Sequence, residues 1–314
     1  METREGWVTT DGGPRLFFQE VTSGTAGEGE PTLVVPNGWY LLDELGPLAA
    51  KRRIVVYEPR HRGRSDAVED PAELARGVHG DVDDVERVRR HFGLARFDLL
   101  GHSYVGMVVA LFAMRHAERV RRLVQIGPTE PFPGKQYPLH LTGAAADDVL
   151  RETFARIAEL QAASEPTDPV ERCRGFWKVL ARIYVSDPAD AHRAEWGRCE
   201  LPNERTMMRY WMGQLLPSLH ALALTPEDFA AVRAPVLTIH GTRDRSAPYG
   251  GAREWAMLLP EARLLTVEGA AHAPWIEAPE LVRSAIAAFL DGEWPAAAER
   301  VRSLDLSDRP AFDG

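Results

Sequence analysis

Three residue types in a fixed chain order carry the chemistry this sequence could do: a serine behind a glycine, a carboxylate and a histidine. The serine is Ser103, in Leu99-Leu100-Gly101-His102-Ser103-Tyr104-Val105-Gly106. Before it, the apolar run from Phe97 to Leu100 has the length of a buried strand. After it, the run from Met107 to Met114 suits a buried helix. A serine wedged between a strand end and a helix start sits on a sharp turn that lifts its hydroxyl clear of the backbone. That hydroxyl is a poor nucleophile at neutral pH, so a base must take its proton, usually a histidine oriented by a carboxylate. The chain supplies Asp244 in Ile239-His240-Gly241-Thr242-Arg243-Asp244 and His272 in Glu268-Gly269-Ala270-Ala271-His272, each in the loop after a strand. Glu130, in Gly127-Pro128-Thr129-Glu130 after the preceding strand, is the alternative acid.

The elements that must position these residues alternate. Residues 7–10 and Arg15 to Val21 read as a hairpin across Asp11-Gly12-Gly13-Pro14. Further strands are expected at Thr32 to Val35, Ile54 to Tyr57, Phe97 to Leu100, Val120 to Ile126, Pro235 to Ile239 and Arg263 to Val267. Helical patterns fall at Tyr40 to Ala50, Gly80 to Phe92, Gly251 to Leu259 and Ala278 to Leu290. This predicts an α/β fold with a mostly parallel sheet of eight strands and helices on both faces. The interval 130–232 differs: it is rich in helix formers, is broken at Pro166, Pro169, Pro188, Pro202 and Pro217, and offers no convincing strand. It is expected to be an all-helical cap over the C-terminal edge of a core made of 1–129 and 233–314, since α/β sheets bind ligands beyond that edge. The charged stretch after Asp291 is expected to hold one short helix, about Pro295 to Val301, before it frays.

Composition excludes several classes. The 314 residues suffice for one large α/β domain with an insertion, and 45% hydrophobic with 26% charged residues is ordinary for a globular chain. A net charge of −9 with no long basic run argues against a nucleic-acid partner. No signal peptide opens the sequence and no apolar run is long enough to span a membrane, so a cytoplasmic protein with a small-molecule substrate is expected. Cys173 and Cys199 lie outside every motif and read as reduced thiols, with a disulfide as the alternative. No cluster has metal-ligand spacing, and no cofactor or metal is called for. The oligomeric state is open, a homodimer included.

With these segments in order, the chain resembles an α/β-hydrolase fold serine hydrolase with a helical cap, of the esterase and proline iminopeptidase-like branch. The likeness runs from about Gly6 to Leu290. Gly241-Thr242-Arg243-Asp244 resembles the family's acid loop and Gly269-Ala270-Ala271-His272 its histidine loop. Arg60-His61-Arg62-Gly63-Arg64-Ser65-Asp66 resembles the family's Arg-Gly-x-Gly-x-Ser segment, with His61 where glycine is common. The resemblance implies Ser103 as nucleophile, Asp244 as acid and His272 as base. It implies an oxyanion hole from the N–H of Tyr104 and, through Asn37-Gly38-Trp39, the N–H of Trp39, with Gly38 shaping that loop. The family's glycine two residues after the serine is replaced by Val105, with Gly106 following, and Asn37 replaces the usual histidine.

Other residues divide between packing and function. Phe176, Trp177, Trp196, Met207, Met208, Tyr210, Trp211 and Met212 form an aromatic and methionine set whose plain role is to pack the cap, while some, Trp177 and Trp211 among them, would line an apolar pocket. Trp39, Tyr104 and Trp275 flank the catalytic loops and are expected as pocket walls. His102 and His240 read as structural. Glu195, Glu200 and Glu204 read as solvated charge, or one of them as an amine anchor of the kind found in proline iminopeptidases. The expected activity is cleavage of an ester, lactone or amide of a small apolar substrate through an acyl-enzyme. The alternatives are an aminopeptidase, a carbon–carbon hydrolase, lyase or cyclase on the same fold, and a non-catalytic binding protein. Ser103 argues against epoxide hydrolases and haloalkane dehalogenases, which carry aspartate at that turn.

Overall fold

The computed structural model describes residues 1–9, 12–23, 31–143, 148–162 and 168–305. The expected hairpin residues Thr10 and Asp11, the break at Pro166 and the tail from residue 306 lie outside the described residues. The strands are β1 (Glu2–Val8), β2 (Leu16–Thr22), β3 (Thr32–Pro36), β4 (Arg53–Tyr57), β5 (Phe97–His102), β6 (Val120–Ile126), β7 (Val236–Gly241), β8 (Ala262–Val267) and β9 (Ala298–Glu299). They form one sheet in the order β1-β2-β4-β3-β5-β6-β7-β8-β9. The six strands from β4 to β8 in that order are parallel, and β1, β2 and β9 join antiparallel. β3, β5 and β7 are buried at every residue, which is why they read as unbroken apolar runs rather than alternating ones.

The main helices of the core are α1 (Val78–His91), α2 (Tyr104–Arg115), α6 (Tyr249–Leu258) and α7 (Pro279–Asp291). One core lies on the sheet face covered by α1 and α2, where Val82, Val85 and Val88 meet Val109 and Phe112. The other holds Val282, Ile286 and Phe289 of α7 against Leu33, Val124 and Leu237. Between β6 and β7 the described residues form helices only, including α3 (Val149–Ala162), α4 (Pro169–Leu180) and α5 (Pro202–Tyr210). Pro169, Pro188 and Pro202 each open a helix here rather than break one, because proline's missing N–H is harmless in a first turn. After α5, Trp211–Leu215 forms a π-helical turn before the short helix Leu216–His220.

Three expectations are corrected. The segment 40–50 is not one helix: it divides into a 3₁₀ turn at Trp39–Leu41, an α turn at Leu42–Leu45 and a second 3₁₀ turn at Gly46–Ala50. The expected helix near Pro295 to Val301 is a ninth strand. Gly292 ends α7 in the left-handed region at φ 107°, Trp294 packs on Phe289 and under Arg263, and the chain returns along β8. Cys173 and Cys199 are not free thiols: they form a disulfide across a Cα–Cα distance of 5.7 Å, joining α4 to the segment before α5. No described helix is long and apolar enough to cross a membrane.

Candidate active site

Ser103 stands between β5 and α2 with φ 59° and ψ −132°, a strained conformation for a residue with a side chain. Its N–H donates to the Ile126 carbonyl at 3.0 Å and its carbonyl accepts from Thr129 N–H at 3.2 Å, so neighbouring backbone holds the turn. Val105 does not prevent the turn. The close approach of strand and helix falls at Gly101, where a Cβ would lie 2.4 Å from the Val105 carbonyl oxygen. Gly106 in turn leaves room for Pro128.

His272 and Asp244, each in a loop past its strand, meet at Nδ1···Oδ2 2.7 Å, and both are fully buried. Oδ1 of Asp244 accepts the N–H groups of Ser246 at 2.8 Å and Ala247 at 2.9 Å. Burial alone would raise this carboxyl, but His272 and His240 beside it hold it well below the usual carboxylate range. It is therefore ionised throughout the neutral range. Nε2 of His272 is buried with no hydrogen-bond partner among the described residues. Glu130, the alternative acid, is elsewhere: its carboxylate accepts the Gly134 N–H at 3.1 Å.

Two residues read as structural have closer roles. His240 Nε2 lies 3.2 Å from Asp244 Oδ2 and equally far from the Ala247 carbonyl. His102 bridges Tyr40 OH, at 2.8 Å from its Nδ1, and the His272 carbonyl, at 3.1 Å from its Nε2. Burial, then the neighbouring His272, pushes His102 well below the ordinary histidine value, so it is neutral and fixes the His272 backbone. Sequence reading missed Gly127, at φ 49°, where a Cβ would come within 3.1 Å of His272 Nδ1 and 3.3 Å of Asp244 Oδ2. Only its place just past a strand end could have marked it.

The N–H groups of Tyr104 and Trp39 each open a helix, where first-turn donors have no partner inside the helix. Gly38 caps the Trp39 turn. Both positions face a cavity of about 550 Å³ that contains Ser103. Trp177 and Trp211 line it as expected, and with Phe176 and the methionines 207, 208 and 212 they make its walls largely apolar. Trp275 does not line it. That ring is 4% exposed and stacks behind, 5.7 Å from Trp196 and 6.2 Å from Tyr40. Tyr40 and Trp196, themselves stacked at 4.3 Å, present the cavity wall in its place.

The Arg60–Asp66 loop is pinned on both sides. Arg60 donates twice to Asp84, at 2.9 and 2.7 Å, and Ser65 accepts the Phe17 N–H at 2.8 Å. His61, at φ 60°, stacks on Tyr210 with ring centres 3.9 Å apart and accepts the Val68 N–H. Of the three glutamates, Glu204 alone lines the cavity; Glu200 pairs with Arg174, and Glu195 is exposed. Glu204 is buried, accepts the Gly63 N–H at 3.0 Å and lies 3.8 Å from Arg198, which also pairs with Glu58. Burial pushes the Asp81 carboxyl of α1 up to about 7, reinforced by Asp84 and opposed by Arg62 and Arg60. Among the described residues no cluster of histidine, cysteine and acid side chains could hold a metal ion.

The profile of a family described as alpha/beta hydrolase fold matches residues 29–279. A Caulobacter protein with the provisional name carbamate hydrolase RutD is 24% identical over 91% of this chain and 98% of its own. The proline iminopeptidase of Heyndrickxia coagulans is also 24% identical, again over 91% of this chain and 98% of its own. A pimeloyl-[acyl-carrier protein] methyl ester esterase of Edwardsiella ictaluri is 26% identical over 85% of this chain and 96% of its own.

Proposed function

The chain belongs to the alpha/beta hydrolase fold family and is a hydrolase; from that premise we propose that it cleaves a carboxylic ester or related acyl bond through an acyl-enzyme on Ser103. The observation that carries this reading is the buried His272–Asp244 pair at 2.7 Å, with the far ring nitrogen unpartnered, in loops past β7 and β8 of the sheet whose strand β5 ends at a strained serine. Relatives named for carbamate, imino-peptide and methyl ester substrates all point to attack at a carbonyl carbon.

In this reading Ser103 Oγ attacks the carbonyl carbon while its proton passes to His272 Nε2. The negative charge that develops on the carbonyl oxygen is met by the N–H groups of Tyr104 and Trp39. Asp244 accepts from Nδ1–H, keeps Nε2 as the acceptor and stabilises the imidazolium. The imidazolium then returns its proton to the departing oxygen or nitrogen as that bond breaks. A water molecule, deprotonated by the same Nε2, releases the acid and restores Ser103. Residues 130–232 act as the cap that shields these steps from bulk water, over a core of 1–129 and 233–314. The substrate is a small molecule whose body is apolar, in keeping with the cavity walls. An ester is favoured over an amine-bearing peptide because Glu204 is already engaged by Gly63 and faces Arg198.

Intact-mass measurement after treatment with a small fluorophosphonate tests the proposal. One adduct on the native chain and none on Ser103→Ala is the expected result. A folded native chain that stays unlabelled while a denatured control shows intact reagent would overturn it.

A further inference from the structure

The apolar cavity beside Ser103 contains a cation that the acyl-transfer chemistry does not use. Arg62 lines that cavity and is only 4% exposed. Its neighbour in the same loop, Arg60, is saturated by carboxylates: it bonds Asp84 twice and Glu73 once. Arg62 is not. Its Nη1 reaches the His61 carbonyl and its Nη2 the Tyr104 hydroxyl, each at 3.5 Å, the outer limit of a hydrogen bond. Among the described residues no carboxylate lies within 4.0 Å of it. A guanidinium carries five N–H donors and cannot shed its charge, so burying one with two long contacts is costly unless something else completes the set.

The surroundings hold this side chain in place without satisfying it. The guanidinium sits 5.7 Å from the centre of the Tyr104 ring and 5.9 Å from that of Tyr210, so two aromatic faces position it. Its backbone is flanked by His61 at φ 60° and Gly63 at φ 49°, in the loop pinned by Arg60 and Ser65. Glu204, the other charged group of the cavity wall, accepts the Gly63 N–H and lies 3.8 Å from Arg198; it and the buried Asp81 also act on Arg62 through space, neither within ion-pair distance of it. The incompletely bonded guanidinium of Arg62 is thus a strong polar demand in a largely apolar chamber. It lies against Tyr104, the residue that follows the nucleophile.

We propose that Arg62 binds a carboxylate carried by the substrate itself, so that the preferred substrates are monoesters of dicarboxylic acids rather than neutral esters. This rests on the acyl-transfer reading and names its substrate class. The acyl chain runs from Ser103 through the apolar chamber and ends in a carboxylate that accepts in bidentate fashion from the guanidinium fork.

The test compares the 4-nitrophenyl monoester of glutaric acid with 4-nitrophenyl butyrate, and measures glutarate binding by calorimetry. The wild-type chain is expected to favour the charged ester by about 30-fold in kcat/KM, the size of a charge-assisted hydrogen bond. Arg62→Gln should bring that ratio to about one or below and abolish glutarate binding. Arg62→Lys, which keeps the charge near Asp81 and Glu204 and guards against a folding failure, should give an intermediate ratio. Turnover of both esters with no preference, or a preference that either variant leaves intact, overturns the proposal while the hydrolase reading stands. No turnover, but glutarate binding that depends on Arg62, overturns the hydrolase reading and keeps the anion site. Neither turnover nor glutarate binding overturns both.

Discussion

Replacing Asp244 by Asn tests the core of the catalytic reading with little change in shape. Oδ1 of Asp244 accepts two backbone N–H groups, at 2.8 and 2.9 Å, and an asparagine Oδ1 can keep both. Those bonds direct the new amide nitrogen to the place of Oδ2, 2.7 Å from His272 Nδ1. An amide nitrogen only donates, so Nδ1 becomes the acceptor and the ring proton moves to Nε2. That nitrogen then cannot take the Ser103 proton, and the imidazolium also loses its facing charge. Together these losses are worth about 10⁴ in rate, as in other serine enzymes with this arrangement, or about 5.4 kcal/mol of barrier. Stability should change far less, because the backbone bonds survive. The assay is kcat/KM on 4-nitrophenyl butyrate beside a thermal melt, with Glu130→Gln as the paired control. Glu130, bonded to Gly134, should lose less than about threefold, the scale of a surface substitution. A loss below tenfold in Asp244→Asn, or an equal loss in Glu130→Gln, would refute the assignment of the acid.

Two further predictions concern groups around the site. The Asp81 carboxyl, pushed up to about 7 by burial and by Asp84, ionises near 3.9 in an unfolded chain. Between those values the unfolded chain loses a proton that the folded chain keeps, so this group's contribution to stability falls as pH rises from about 4 through 7. Asp81→Asn should flatten that fall and leave the variant more stable than wild type at pH 8, by up to about 4 kcal/mol. Urea unfolding at pH 5 and pH 8 checks it, and an unchanged difference between the two pH values counts against it. Gly127→Ala adds a methyl within 3.1 Å of His272 Nδ1 at a positive φ, whereas Gly93→Ala adds one at φ 62° with nothing within 4 Å. Both should lose about 1–2 kcal/mol of stability to backbone strain. Only Gly127→Ala should lose activity, by tenfold or more; equal activity in the two variants would show that this glycine is not needed for clearance at the histidine.

What was legible in the sequence was the position of residues that closely follow a strand. Ser103, Asp244 and His272 each follow a strand closely, so knowing the strands places all three at one edge. Side-chain direction was not legible. Trp275 stands three residues after His272, yet it lies in the turn Pro274–Glu277 and its ring stacks behind Tyr40 and Trp196, which, far apart in sequence, stack at the cavity. Arg62 lies in a loop with four other charged or titratable side chains, Arg60, His61, Arg64 and Asp66, and since Arg60 is equally buried only incomplete bonding separates the two arginines. The cysteines gave no signal because a separation of 26 residues fits a bond or its absence equally well.

The strain at the site is held by a feature of the sheet rather than by the site itself. Past four parallel strands, the first residue donates its N–H to a carbonyl near the end of the adjacent strand. Asn37 reaches Tyr57 at 2.7 Å, Ser103 reaches Ile126 at 3.0 Å, Gly127 reaches Ile239 at 2.8 Å and Thr242 reaches Val267 at 3.2 Å. The row continues the ladder by one residue beyond the point where the chain turns. Asn37 and Ser103 adopt positive φ at these bonds, and Gly127 does so beside the histidine. Each such residue with a side chain costs on the order of 1–2 kcal/mol, so the conformation persists only where neighbours over-determine it. Parallel register supplies that here, because β3 with β4, β5 with β6, and β6 and β7 with their next neighbours end nearly level. Asn37 before Gly38 and Trp39, Ser103, Gly127 beside His272 and the loop that carries Asp244, the groups that the proposed mechanism uses, are therefore set by one hydrogen-bonded edge. Their mutual distances depend on strand register and less on the helices between β6 and β7, so in the proposed mechanism those helices shape the cavity without moving the groups at the sheet edge.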